Sequence, residues 1–320
     1  MLNRRQITHQ PMATPQQVLR FVADAKNGGI EAALVVLAGK TNGGPRAPGA
    51  LMAVLETGAR AGSLSSGCVE AAIAGEALDA LARGEARRVQ FGEGSNYVDI
   101  RLPCGAGMDL LFIPNPGART VTQAIESLDN RVPVTLTFGN DGSVGFSDVG
   151  PSSASAHHAI AVRYTPDLRM IVAGHGAEAE ALVRQAVAFG AIVELLTPDE
   201  ELLQNAIRNG VSARFLEHIE RTPEIDVDPW TAIAILFHDH DWEPALVETA
   251  LRSNAFWIGA MGSNRTAERR RALLGQLGFA AAEIERIKGP VGTISGARDP
   301  STLALSTLAQ IVADFGAAAA

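Results

Sequence analysis

The sequence predicts an α/β protein in two parts. A mixed α/β domain spans residues 1–150, a linker 151–165, and a parallel-sheet domain 166–320. Three observations carry that prediction. Short apolar runs, the pattern of buried strands, alternate with helix-period segments along most of the chain. A stretch rich in Ser and Ala, Gly150 to His158, interrupts the pattern near the middle. Beyond it, Leu168 to Ala173 runs into Gly174-His175-Gly176-Ala177-Glu178-Ala179 and then into a helical segment from Glu180 to Phe189. A strand, G-x-G-x-x-A and a helix in that order are the fingerprint of a Rossmann-like sheet.

In the first half, Pro15 opens a helix with Val18, Leu19 and Val22 on one face, and Asn27-Gly28-Gly29 stops it. Glu31 to Ala38 and Ala50 to Leu55 read as buried strands, with a Gly/Pro loop between them. Helical spacing returns from Ala71 to Ala82, followed by strands at Arg87 to Phe91 and Asp109 to Ile113 and a helix over Val121 to Leu128. Val132 to Phe138 and Ser143 to Ser147 form a hairpin around Asn140-Asp141-Gly142. In the second half, strands are expected at Ile192 to Leu196, Ala232 to Phe237 and Phe256 to Gly259. A rigid loop, Gly289 to Pro300, leads into a last helix from Ser301 with Leu305, Leu308 and Ile311 turned to the sheet.

Composition narrows the function. With 320 residues, 47% of them hydrophobic and 19% charged, the chain is globular. A net charge of −8 argues against nucleic acid and anionic membrane as partners, so a bound anion must be held by local loops and arginines. No apolar run reaches the ~18 residues of a membrane span. Met1 to Gln17 lacks the apolar core of an export signal. The expectation is therefore a cytoplasmic protein whose two cysteines, Cys68 and Cys104, stay reduced.

Both cysteines sit in glycine-flanked loops. Gly62-Ser63-Leu64-Ser65-Ser66-Gly67-Cys68-Val69-Glu70 joins a strand to a helix. Cys68 is expected in the first helical turn, where unpaired amides and the macrodipole favour a thiolate. The alternative is a buried, inert cysteine beside a tight turn. Arg101 to Gly107 encloses Cys104 in the same manner.

In the second half, the loops after successive strands share one sheet edge, the place where such folds bind ligands. They are Gly174-His175-Gly176, His238-Asp239-His240-Asp241, and Gly259 to Arg265. Arg265, beside Gly262 and Ser263, is the expected phosphate ligand, whereas Arg269, Arg270 and Arg271 read as a solvated helix face. The two histidines of His238 to Asp241 suit loop shaping better than metal ligation. An acid to hold a ribose is missing at the end of the second strand, where Leu196-Thr197-Pro198-Asp199 stands, so the fingerprint speaks for the fold more than for NAD.

Taken together, these loops resemble the XdhC/CoxI family. The Gly62 to Glu70 loop is similar to that family's G-x-[LI]-S-G-G-C-V-E signature, with Ser66 in a glycine's place. Ala173 to Gly176, His238 to His240, Ile258 to Thr266, and Gly289 to Gly292 with Gly296 to Pro300 resemble its Rossmann domain, although Gly292-Thr293-Ile294-Ser295-Gly296 replaces the usual G-L-D-I-G. The resemblance implies a chaperone, not an enzyme, for molybdenum enzymes of the xanthine dehydrogenase class. It would bind the molybdenum cofactor, as molybdopterin or its cytosine dinucleotide, and support its sulfuration and insertion. An apo-molybdoenzyme, and a cysteine desulfurase as sulfur donor, are the implied partners, and a homodimer is expected because symmetric dimers are the commonest assembly. Implied cofactor-binding residues are Ser65, Ser66, Gly67, Cys68, Cys104, Gly174, His175, Gly176, His238, Gly262, Ser263 and Arg265. Cys68 would be the molybdenum ligand. The metal end is expected at the first domain and the phosphate end at the second. An NAD(P)-dependent oxidoreductase is the competing expectation.

Overall fold

A computed structural model describes residues 9–43, 46–65, 67, 69–92, 105, 107–147 and 160–319. Ser66, Cys68, Cys104 and most of the expected linker lie outside the described residues. The chain divides into two compact units, Met1–Pro166 and Asp167–Ala320.

The first unit is built on a five-stranded sheet. Its strands are β1 (Ala32–Thr41), β2 (Leu51–Leu55), β3 (Arg60–Ala61), β4 (Arg87–Gly92) and β5 (Gly107–Pro114), in the order β3-β2-β1-β5-β4 and antiparallel throughout. The unbroken apolar run of β1 has a direct cause. Alternate side chains of a strand point to opposite faces, and here both faces are covered. Ala32, Leu34 and Val36 join one core, with α1 (Pro15–Asn27) and α3 (Ala118–Asp129). Ala33, Val35 and Leu37 join the other, with Ile73 and Ala77 of α2 (Glu70–Arg83).

Helix α1 begins with a reciprocal cap. The Gln17 amide donates to Thr14 Oγ1 at 3.3 Å, and the Thr14 amide donates to Gln17 Oε1 at 3.0 Å. A second, antiparallel sheet of β6 (Val134–Phe138), β7 (Val144–Ser147) and β8 (Ile160–Tyr164), in the order β7-β6-β8, adds Leu136 and Phe138 to the first core. Strand β8 occupies a segment expected as linker. It is short and interrupted by Arg163, too weak a pattern to stand out.

The second unit is a parallel sheet in the order β11-β10-β9-β12-β13-β14. In chain order it contains β9 (Arg169–Gly174), α4 (Gly176–Phe189), β10 (Ile192–Thr197), α5 (Glu200–Arg208), β11 (Ser212–Phe215), β12 (Thr231–Leu236), α6 (Glu243–Leu251), β13 (Trp257–Ala260), α7 (Asn264–Gln276), α8 (Ala281–Ile284), β14 (Ile287–Lys288) and α9 (Pro300–Ala319). Met170 and Val172 of β9 pack on the side of α4 and α9, while Ile171 and Ala173 pack on the side of α6. The sequence progresses outward in both directions from β9, so β9 and β12 flank the switch point of a Rossmann-like sheet. No helix among the described residues is long and apolar enough to cross a membrane.

Candidate functional site

In the first unit, the cysteine loop is organised by one carboxylate. Glu70 Oε1 accepts from Ser63 Oγ at 2.7 Å and from the amides of Leu64 and Ser65 at 2.9 and 2.8 Å. Ser65 Oγ in turn accepts from the Val69 amide at 3.2 Å, and Arg46 donates to the Ser63 carbonyl at 3.1 Å. The other carboxylate oxygen, Glu70 Oε2, is buried with no hydrogen-bond partner among the described residues. Gly62 makes the sharp entry possible. Its φ is +83°, and a Cβ there would overlap the Leu51 carbonyl oxygen. Gly67, at φ +103°, faces open space. Helix α2 starts at Glu70 with Val69 as N-cap. The first turn of the helix carries Glu70. Cys68, Ser66 and Cys104 lie outside the described residues.

In the second unit, a cleft of about 790 Å³ opens at the carboxyl edge of the parallel sheet. Four chain segments and Leu303 of α9 border it: the first turn of α4, Phe237 and His238 after β12, Met261 to Asn264 with Thr266 after β13, and Pro290 to Arg298 before α9. Gly174 lets the strand pass close beneath, since a Cβ there would lie 2.6 Å from the Leu236 carbonyl oxygen and 3.1 Å from Ala179 Cβ. Gly176 turns the chain into α4 at φ +73°. His175 is the N-cap residue of α4 but makes no side-chain cap bond; its ring packs 5.4 Å from Phe237 and 6.5 Å from His238.

The loop after β13 is shaped from both sides. Ser263 Oγ caps α7, accepting from the Thr266 amide at 3.2 Å. Gly262 has φ +140°, and a Cβ there would press on Thr266 Cγ2 at 2.8 Å. Beneath lies Arg270, which the sequence placed on a solvated face. It is buried, donating to both Glu243 oxygens at 2.9 and 3.1 Å and to the Met261 carbonyl at 2.8 Å. A Cβ on Gly289 would lie 3.1 Å from Arg270 Nη1, so the same guanidinium sits against the residue just before the last bordering segment. The last loop is pinned by Gln310, which accepts from the Gly292 amide at 3.0 Å, and by Ser306, which accepts from the Ile294 amide at 2.7 Å.

Of the expected residues, His238, Gly262 and Ser263 line the cleft. His175 stands beside it, with Gly174 and Gly176 forming the turn below. Arg265 is exposed and does not line it; the guanidinium on the lining is Arg298. Sequence reasoning also missed Glu178, the carboxylate on the lining, which lies 3.4 Å from His238 Nε2. Its position in the fingerprint, G-x-G-x-E-A, was the available signal. At the end of β10, where a dinucleotide enzyme carries its ribose acid, stands Thr197. Thr197 is fully buried, its hydroxyl accepting from the Asp199 amide at 3.1 Å, and Asp199 caps α5 through the Leu202 amide at 3.0 Å. Among the described residues no three His, Cys, Asp or Glu side chains converge as a metal set.

Residues 170–311 match the XdhC Rossmann domain, and residues 25–92 match the XdhC and CoxI family. Over 295 residues, 92% of this chain and 86% of the relative, the sequence is 32% identical to the molybdenum cofactor insertion chaperone PaoD of Escherichia coli K12. The chain belongs to the XdhC/CoxI family. The family fold extends to a crystal structure described as a xanthine dehydrogenase from Bacillus halodurans, with a TM-score of 0.75 over 93% of this chain and 96% of that one. At 17% identity that likeness concerns the fold.

Proposed function

We propose that this protein is a molybdenum-cofactor chaperone, which binds the cofactor and supports its sulfuration and insertion into an apoenzyme of the xanthine dehydrogenase or aldehyde oxidoreductase class. The observation that carries the reading is the 32% identity to an insertion chaperone over 92% of the chain. The cleft supports it: about 790 Å³ lies within the ~300–1,000 Å³ usual for small-molecule sites. Its lining of backbone amides, hydroxyls, Glu178 and Arg298 suits a polar, phosphorylated heterocycle. In this reading the cofactor is cargo, and the chain turns over no substrate of its own.

Cys68 follows in the loop that Glu70 braces, and it is the residue proposed to meet molybdenum or carry sulfur. A thiolate is a suitable soft ligand for such a metal. Cys104 is the second candidate. A client apo-molybdoenzyme and a cysteine desulfurase are the proposed partners, with a homodimer in the cytoplasm as the working state. The oxidoreductase reading loses ground because Thr197 and Asp199 are committed to structure.

Co-production with the cofactor pathway tests the proposal. Purified protein is expected to carry molybdenum and an oxidisable, fluorescent pterin. Cytosine monophosphate released by mild acid would identify the dinucleotide form. Protein carrying neither metal nor pterin would sink the reading.

A further inference from the structure

Glu178 stands where a phosphate was expected. It lies in the first turn of α4, its Oε2 is 3.8 Å from the point a Cβ on Gly176 would occupy, and its side chain is 18% exposed. A carboxylate over the glycine turn repels an anion at the very amides that usually attract one. It offers instead two acceptor oxygens to the cleft, one of them held 3.4 Å from His238 Nε2. Among the described lining residues Glu178 is the carboxylate and Arg298 the guanidinium, so the cleft carries one site for N–H donors and a separate one for an anion.

We infer that Glu178 recognises the amino-pyrimidine edge of a pterin, and that the ligand's phosphate is held by Arg298 and the Gly292 to Ala297 loop rather than by the Gly174-His175-Gly176 turn. This rests on the proposed cofactor-binding role. A 2-amino-4-oxopteridine presents a ring N–H next to an exocyclic amino group, a pair that matches both oxygens of a carboxylate. Cytosine offers its amino group beside a ring acceptor and fits only one oxygen. His238 is a positioning residue: its Nε2, 3.4 Å from Glu178 Oε1, orients the carboxylate whose two oxygens meet the ligand.

Co-produced wild type, Glu178→Gln and Glu178→Ala are purified, and their pterin content and thermal unfolding are measured. Both variants are expected to unfold like the wild type, while pterin content falls about tenfold, the scale of losing a charge-assisted pair. Loaded wild type is then challenged with free pterin, with lumazine (which has an oxo group in place of the 2-amino group), and with cytidine, which carries no phosphate for the Arg298 site. Pterin is expected to displace cofactor at concentrations about tenfold lower than lumazine, with that preference gone in Glu178→Gln. Unchanged content in both variants, or cytidine displacing as well as pterin, would overturn the inference. A wild type without pterin would instead overturn the parent reading, so the two failures are told apart.

Discussion

Glu70 Oε1 takes a hydrogen bond from Ser63 Oγ at 2.7 Å across the whole Gly62 to Glu70 loop, and the same oxygen collects the amides of Leu64 and Ser65. One carboxylate at the start of α2 thus fixes the chain that leads to Cys68. Replacing it with alanine strands two backbone donors. Glu70→Ala is expected to lose about 1–3 kcal/mol of unfolding free energy, and Glu70→Gln, which keeps one acceptor oxygen, distinctly less. Denaturant titration of both variants checks this, and equal losses would contradict the assigned role of Oε1.

The glycines of the same loop differ in what they tolerate. At Gly67 an alanine meets no neighbour and pays only for its positive φ, about 1–2 kcal/mol. At Gly62 it also collides with the Leu51 carbonyl. Gly62→Ala is expected to cost at least about 1–3 kcal/mol beyond Gly67→Ala, the scale of overpacking. Thermal unfolding of the pair decides it.

Arg270 and Glu243 form a buried, bidentate pair beneath the cleft. Removing one partner leaves an uncompensated charge inside the second unit. Arg270→Met and Glu243→Leu are each expected to destabilise by about 3–5 kcal/mol, with the double variant well above either single one. A double-mutant cycle by denaturant titration measures the coupling; additive losses would contradict it.

Asp299 precedes α9 and accepts from the Thr302 hydroxyl and from its amide, which holds the carboxyl below the usual aspartate range. Because the folded value is the lower one, its contribution is present above the unfolded value of about 3.9 and fades as pH falls through the folded value. Asp299→Ala should therefore lower the unfolding temperature at pH 7, with the gap to wild type closing below about pH 4. A gap that stays constant to pH 2 would contradict the assignment.

The buried strands were legible because their burial leaves a mark in sequence. Beta-branched and aliphatic runs in β1, β2, β9 and β12 have no other place to go. Strands β3 and β14 were not legible, because two residues carry no pattern, and β11 presents a mixed, partly exposed face. Antiparallel pairing in the first unit was equally hidden, since a sheet covered on both faces reads as apolar whichever way its strands run. Spacing located the glycine loops at the sheet edge, whereas the burial of Arg270 and the place of Glu178 on the cleft lining left no mark in that spacing. Arg270 and Arg265 are indistinguishable in an arginine-rich helix until Glu243, on another helix, is seen to claim one of them. Glu178 drew no separate notice within the fingerprint, and only the fold turns it into the cleft.

Under the proposed function, cofactor carriage depends on the cysteine loop. Wild type and Cys68→Ser are co-produced with the cofactor pathway, purified alike, and assayed for molybdenum by elemental analysis and for pterin by fluorescence. Molybdenum and pterin are expected in a fixed ratio in the wild type, with a marked loss of metal in Cys68→Ser. Wild-type protein free of both, yet binding NADH in a calorimetric titration, would contradict the proposed function.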